Sequence, residues 1–147
     1  MKIFVPRDSA ALAVGADEVA DALQAELVAR GLDAQATLVR NGSRGLFWLE
    51  PAVEVETAEG RVAYGPVTPG DVASVFEAAL EAGGGVHPLR IGRPEDLPFL
   101  KRQTRITFAR CGIVDPASLD DYRAHGGYRG WARAVAIGPA GTIEAPV

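Results

Sequence analysis

Cysteine is nearly absent from this chain, since Cys111 is the only one among 147 residues. One thiol cannot form an internal disulfide or a four-thiolate metal site. A lone cysteine is more often a small buried hydrophobe than a nucleophile, and the sequence surrounds Cys111 with no histidine-centred constellation. A thiol enzyme, which needs Cys-x-x-Cys or a low-pKa cysteine after the first strand, is therefore disfavoured.

Long hydrophobic runs are also missing. No apolar run approaches the roughly 20 residues that span a bilayer. The opening Met1–Val5 reaches Pro6-Arg7-Asp8 at once, whereas a secretory signal needs an apolar stretch of roughly 7–15 residues. The sequence therefore predicts a cytoplasmic protein with no membrane contact.

Few residues carry a pattern suited to catalysis or metal binding. His87 and His125 lie beside proline or glycine without metal-ligand spacing, which predicts ordinary polar histidines. The adjacent Asp120 and Asp121 point about 100° apart in the first half of a predicted helix, where the dipole favours anions. We therefore expect no catalytic, cofactor-binding or metal-binding residue in this chain.

Two glycine-rich segments are also interpreted structurally. Gly42–Gly45 lacks the phosphate-loop pattern and has no helix signal after it, so a tight surface loop is expected. Gly83–Gly85 follows a helix rather than a strand, which predicts a helix stop and excludes a dinucleotide fingerprint.

Charge is unevenly distributed. Residues 1–85 hold 6 basic and 13 acidic side chains, whereas residues 86–147 hold 9 basic and 6 acidic ones. A basic segment can bind nucleic acid or an acidic protein face. Because the excess is small and aromatics do not interleave with it, a protein partner is favoured and nucleic acid is not expected.

The first 85 residues alternate strand and helix patterns. Short apolar runs and period-two alternation predict strands, and a four-residue apolar spacing predicts helices. Thr68 is the expected cap of the last helix, with Pro69 at its first position. The predicted elements are strand Lys2–Val5, helix Asp17–Arg30, strand Ala34–Val39, the hairpin of Ala52–Thr57 and Arg61–Tyr64 that turns at Glu59-Gly60, and a helix from Pro69 to Leu80.

This order predicts a four-stranded mixed sheet with helices packed on it. The first three elements need a parallel strand pair with a right-handed crossover, and the hairpin adds an antiparallel pair. The expected buried side chains are Val19, Ala20, Leu23, Leu27 and Val28 on the first helix, Val72, Val75, Phe76, Ala79 and Leu80 on the second, and Val39 and Val53 on strands.

Residues 86–147 are predicted to be an extension without a core of its own. Ile106–Phe108 is expected to be extended. Asp115 should cap a short helix with Leu119 and Tyr122 facing inward, Gly126-Gly127 should break it, and Tyr128–Val135 should add a turn or two. Gly138–Gly141 and Pro146 are interpreted as linker.

Phe47-Trp48-Leu49 is an unusual run of bulky apolar residues directly after the glycine loop. These residues can begin the third strand as core, or form an exposed partner surface, because tryptophan is enriched at interface hot spots. Both interpretations remain open from the sequence.

Two segments resemble a known family. Arg105–Pro116 and Asp121–Tyr128, with the pattern CGIVDPxSLDDYxxxGGY, resemble the lead-in to the flavin domain of NADH-oxidising subunits. That family includes the large NADH-binding subunit of respiratory complex I, hydrogenase diaphorases and soluble formate dehydrogenases. The first half resembles the thioredoxin-like 2Fe-2S subunit of the same systems, and Tyr64–Pro69 is similar to its strand-to-helix turn.

The resemblance implies a thioredoxin-like (βαβ-ββα) domain over 1–85, followed by a basic extension, 86–147. In that family four cysteines hold the cluster. The positions that match by spacing are Arg7, Leu12, Arg40 and Arg44 here, so the cluster is not carried over. The cluster-free segment Gly45–Pro51 is most similar to the formate dehydrogenase branch.

The implied function is a structural and docking module of the NADH-handling β subunit of an NAD-dependent formate dehydrogenase, without catalysis of its own. FMN, NAD and 4Fe-4S would belong to the rest of that subunit. Expected partners are its flavin domain, the 2Fe-2S γ subunit and the catalytic α subunit, with a homo-oligomer possible in isolation. The alternative is a stand-alone protein-binding module. Candidate contact residues are Phe47, Trp48, Arg102, Tyr122, Tyr128 and Trp131.

Overall fold

The computed structural model describes residues 1–58, 60–81 and 84–145, and the chain divides into two compact units. The first unit spans Met1–Ile113 and the second spans Val114–Val147. The boundary therefore follows Ile113, so residues that the sequence assigned to the extension belong to the first unit.

The described part of the first unit contains five strands and four short or medium helices. Three 3-10 turns, Phe47–Leu49, Pro69–Asp71 and Pro94–Asp96, connect them. The strands are β1 Lys2–Phe4, β2 Thr37–Val39, β3 Val53–Thr57, β4 Gly60–Tyr64 and β5 Arg90–Gly92; the helices are α1 Ser9–Leu12, α2 Ala16–Ala29, α3 Val72–Leu80 and α4 Pro98–Lys101.

The strands form one mixed sheet in the order β2-β1-β3-β4-β5. Among the described strands only the β1–β2 pair is parallel. Ile3 lies opposite Leu38 in this pair and opposite Val55 across the antiparallel β1–β3 pair. The predicted strand and helix order is confirmed, but the sheet has five strands rather than four. The fifth, Arg90–Gly92, was missed because three residues beside proline and glycine carry no alternation.

One face of the sheet packs on α2 and α3. Side chains alternate along a strand, so Ile3, Val5, Val55 and Tyr64 all point to this face and are fully buried. Phe76 of α3 closes the core with 1% of its surface exposed.

Most of the predicted core residues are buried, and three are not. Val28 is exposed because it lies about 100° around α2 from the buried Leu27. Leu80 is exposed as the last residue of α3, and Val39 is only half-buried because β2 is an edge strand. Ala34 and Ala36 also lie outside β2, which is shorter than predicted.

Thr68 lies at the start of the helical segment that leads into α3, as predicted. Its backbone N–H and its hydroxyl both donate to Asp71 Oδ2, at 2.9 and 2.6 Å, and the hydroxyl lowers the pKa of that carboxyl. The first turn, Pro69–Asp71, is 3-10 rather than α-helical. The helix stops at Leu80, while Gly83 of the predicted stop and Glu59 of the predicted turn lie outside the described residues.

The second unit consists of α5, Leu119–Ala124, and α6, Arg129–Glu144. Ser118, not Asp115, caps α5 by accepting from the Asp121 N–H at 3.1 Å. Asp115 instead accepts from the Ala117 N–H, which makes a local turn before the helix.

Several expectations for the second half were wrong. Leu119 and Tyr122 are exposed, because α5 buries no residue in the described part of its unit. The segment predicted as a linker is helical, since α6 continues beyond a kink at Gly138, whose φ is 73°. Ile106–Phe108 forms turns rather than an extended piece. Pro146 lies outside the described residues.

No helix among residues 1–58, 60–81 and 84–145 is long and apolar enough to cross a membrane.

Candidate functional site

The loops that follow β1 and β2 lie side by side. Parallel pairing brings the carboxyl ends of both strands to the same edge, where the Val5 N–H donates to the Val39 carbonyl at 3.0 Å. The Arg7 N–H then donates to the Asn41 carbonyl at 2.9 Å. The matched positions Arg7 and Arg40 therefore belong to adjacent loops, Leu12 ends α1, and Arg44 follows in the second loop.

Arg40 joins three parts of this edge. Its guanidinium donates to the Val5 and Pro6 carbonyls at 3.3 and 3.2 Å, and to Asp17 Oδ1 at 2.6 Å. Asp17 lies in the first turn of α2. The side chain thus ties the end of β1 to the start of α2.

Asp8 connects the same two loops from the other side. Its carboxylate accepts from the Ala10 and Ala11 N–H groups, at 3.1 and 3.3 Å, and so caps α1. The Ser43 N–H of the second loop donates to its other oxygen at 2.8 Å.

Arg44 points to the outer face of the sheet, which we define as the face of Phe4, Glu54, Arg61 and Ala63. Its Nε and Nη2 donate to the two oxygens of Glu54 at 2.6 and 2.9 Å, a bidentate pair. Burial opposes the charge of Arg44, but the hydrogen bonds and charge of Glu54 outweigh it and raise the pKa of the guanidinium.

Arg61 completes this buried ionic cluster. Its Nη1 lies 3.4 Å from Glu54 Oε2, and its guanidinium carbon stacks 3.4 Å from the Phe4 ring centroid. The same side chain donates to the carbonyls of Gly112 and Ile113 at 2.7 and 3.2 Å.

Residues 105–113, called the strap below, are held against the outer face by these groups. Arg105 Nη2 donates to the Arg44 carbonyl at 3.0 Å, and Asn41 Nδ2 donates to the Gly112 carbonyl at 2.9 Å. The roles of Asn41, Glu54 and Arg61 were not predicted from the sequence. The period-two alternation placed Glu54 on the second face of the hairpin, but nothing local indicated that the face is covered.

A buried carboxyl lies beside a small cavity under this face. Glu50 Oε1 accepts from the Ser43 hydroxyl at 2.6 Å, Oε2 accepts from the Ala52 N–H at 3.0 Å, and burial raises the pKa of the carboxyl. The cavity, which Leu46 and Leu97 also line, has an interior of about 20 Å³, the size of one water molecule. It is too small for a substrate.

The residues at the matched positions do not fit an iron–sulfur cluster. Guanidinium groups are donors only, the leucine side chain has no ligand atom, and cluster iron needs thiolates. Within the described ranges, no three His, Cys, Asp or Glu side chains are grouped to hold a metal ion. Cys111 is half-buried at the end of the strap, and His87 Nε2 lies 3.2 Å from the Ser74 hydroxyl.

The Phe47–Leu49 segment is a 3-10 turn, with Phe47 and Trp48 62% and 61% exposed. The core interpretation was therefore wrong for these two residues. Trp48 packs edge-on against Phe99 with ring centroids 5.3 Å apart. Arg102 lies just after α4 and is exposed, with Nε donating to the Pro98 carbonyl.

The second unit has its own exposed aromatic residues. Tyr122 and Tyr128 pack edge-on at 5.1 Å while both stay exposed, and Trp131 is 68% exposed on α6. Val135 lies one turn further on and is also exposed. The six candidate contact residues thus divide equally between the two units, and all six are accessible.

Comparison with known proteins identifies the fold. No family model matches the chain. A cysteine-to-serine variant of the thioredoxin-like 2Fe-2S ferredoxin from Aquifex aeolicus is 27% identical, with a TM-score of 0.53 over 63% of this chain and 98% of the ferredoxin. The wild-type ferredoxin is 26% identical with a TM-score of 0.52. The thioredoxin-like fold class is therefore confirmed.

One curated relative is similar over a short segment. The NADP-reducing hydrogenase subunit HndC from Solidesulfovibrio fructosivorans is 43% identical over 44 residues. That match covers 30% of this chain and only 9% of the hydrogenase subunit. It supports the resemblance to hydrogenase-type subunits and does not reach the formate dehydrogenase branch.

Proposed function

We propose that this chain is a structural and docking module at the amino terminus of the NADH-handling β subunit of an electron-transfer complex, with no redox centre of its own. The observation that carries the proposal is the second unit, whose two helices bury no residue in their described part. The likeness to the ferredoxin and to the hydrogenase subunit supports the type of complex.

The exposed face of α6 has the composition of an interface. Trp131 and Val135 before the kink and Ile143 after it leave most of their apolar surface in water, and Tyr128 lies just before the helix. Apolar patches of this kind on a folded protein mark interaction sites, and aromatic residues dominate their energetics. A partner surface is therefore the simplest function for a helix that buries none of its described residues.

The partner we propose for this face is the flavin domain of the same subunit. The strap and α5 carry the segments that resemble the lead-in to that domain. FMN, NAD and a 4Fe-4S cluster would belong to the rest of the subunit, and the 2Fe-2S γ subunit and catalytic α subunit would complete a cytoplasmic complex. The Gly45–Pro51 segment favours formate as the electron donor.

Binding of the full chain to the separately produced flavin domain of the same organism tests the docking role. We expect Trp131→Ala to weaken binding at least about tenfold, as hot-spot aromatics do. Arg133→Ala, an exposed residue on the same helix, is the matched control and should change the affinity less than about threefold. Absence of binding to the flavin domain, together with capture of an unrelated partner, would favour the stand-alone module instead.

The choice of complex needs a second readout. The complex that co-purifies with the tagged chain should reduce NAD with formate. Reduction with hydrogen but not with formate would keep the docking role and replace formate dehydrogenase with a hydrogenase diaphorase.

A further inference from the structure

We infer that a network of two ionic side chains, Arg40 and Asp8, does in this chain the cross-linking that a metal cluster does in cluster-bearing relatives. The inference rests on the matched cluster positions and not on the docking role. It concerns what holds together the loops after β1 and β2, whichever complex contains the chain.

The two loops stay close together although the matched positions offer no iron ligand. The Arg7 N–H reaches the Asn41 carbonyl at 2.9 Å, and the Ser43 N–H reaches Asp8 at 2.8 Å. A cluster ligated by thiolates from both loops would bridge the same gap. Because no thiolate is present at the matched positions, another interaction must oppose the separation of these loops.

Arg40 supplies that interaction from the second loop. Its planar guanidinium reaches the Val5 and Pro6 carbonyls of the first loop and the Asp17 carboxylate at the same time. A fork of rigid donors loses little conformational freedom for each bond that it forms. The Arg40 side chain is 22% exposed but Asp17 is 64% exposed, so solvent screens their ion pair, whereas the bonds to the two carbonyls are partly buried.

Asp8 supplies the complementary interaction from the first loop. One carboxylate oxygen caps α1 and the other accepts from Ser43, so the position of the second loop depends on the start of the helix. A cation from one loop and an anion from the other thus make reciprocal bonds. Charge-assisted bonds of this type are about twice as strong as neutral ones.

Hydrogen exchange of single amides in the full chain tests the network. We expect Arg40→Ala to raise the exchange rates of the residue 7 and Ser43 amides about tenfold, as loss of bonds to a charged group does. The Val55 amide, in the centre of the sheet, is the internal reference. Arg7→Ala is the matched control, since the Arg7 side chain is exposed and makes no hydrogen bond or ion pair to the described residues.

Two further measurements keep the test decisive. Arg40→Lys, which keeps the charge without the fork, should raise the same rates less than Arg40→Ala; it also serves if Arg40→Ala does not fold. Addition of EDTA to the wild-type chain should leave the rates unchanged. Unchanged rates in both variants, or a stoichiometric 2Fe-2S spectrum within one monomer after anaerobic reconstitution, would overturn the inference. Failure of the docking role would appear only in flavin-domain binding, not in these rates.

Discussion

The two units of this chain treat their apolar side chains in opposite ways. In the first unit, strands and helices enclose a core in which Ile3, Val5 and Tyr64 have no exposed surface. In the second unit, Trp131, Val135 and Ile143 are equally apolar, yet each leaves most of its surface in water. Apolar residues therefore form a core only where another element is present to cover them. The first unit has that element, whereas α5 and α6 of the second unit bury none of their described residues.

The largest contrast should come from removing one aromatic residue from each unit. Phe76→Ala should lower the free energy of unfolding by about 3–5 kcal/mol, because Phe76 is buried between α3 and the sheet. Trp131→Ala should change it by less than about 0.5 kcal/mol, because its ring is mostly solvated. Urea unfolding of both variants measures the two values, and a loss below about 1 kcal/mol for Phe76→Ala would place that ring on the surface.

The outer face of the sheet should be nearly as sensitive as the core. Arg44→Met removes one partner of a buried bidentate pair and leaves Glu54 to Arg61 alone, so we expect a cost of about 3 kcal/mol. Arg93→Met is the control, because its pair with Asp96 is exposed and 3.8 Å long. Similar, small losses in both variants would show that the outer face is solvated in solution.

Alanine substitution should affect stability differently at two glycines of the first unit, because the backbone approaches only one of them closely. A side chain at Gly65 would clash with the Leu49 carbonyl oxygen, so Gly65→Ala should cost about 1–3 kcal/mol. Gly42 has open space at the equivalent position, and Gly42→Ala should be neutral or slightly stabilising. Thermal unfolding compares the two, and equal melting temperatures would contradict the contact between the Gly65 segment and the 3-10 turn.

The smallest effect should come from the buried carboxyl of Glu50, and it should depend on pH. Because burial raises the pKa of Glu50 in the folded state, its contribution to stability is present at low pH and is lost as pH rises through that pKa. Because glutamine does not ionise, the Glu50→Gln variant does not lose this stability as the pH rises. The melting temperature of the variant relative to wild type should therefore rise as the pH is raised through the folded-state pKa of Glu50. Glu56→Gln, which changes an exposed carboxyl on β3, is the control. A melting-temperature difference that falls with rising pH would contradict a raised pKa for Glu50.

Local patterns predicted the helix-covered half of the first unit. The four-residue spacing of Val19, Leu23 and Leu27 identified the buried stripe of α2, and Thr68 marked the start of the segment that leads into α3. These features depend on periodicity and capping, which neighbouring residues determine. The predicted burial of Val28 and Leu80 was wrong, because exposure at the edge of an apolar stripe or at the end of a helix depends on what packs beside it.

The structures of the outer face and of the second unit could not be predicted from local patterns, because they depend on residues that are not neighbours in the sequence. In the sequence, Glu54 looks like any other polar residue of an alternating strand. In the structure it pairs with Arg44 and Arg61, and Arg61 also binds the strap. Arg90–Gly92 becomes a strand only by pairing with β4. The glycines around Pro139 indicated a linker, whereas in the structure they belong to α6, which is kinked at Gly138.

Hydrogen exchange of the full chain, alone and with the flavin domain, tests the docking role most directly. In the isolated chain, the amides of α5 and α6 should exchange much faster than those of β3 and β4, because helices without buried contacts open readily. Addition of the flavin domain should slow the amides of α6 at least about tenfold and leave β3 and β4 unchanged. Strong, equal protection of α6 and β3 in the isolated monomer, with no change on adding the flavin domain, would contradict the account.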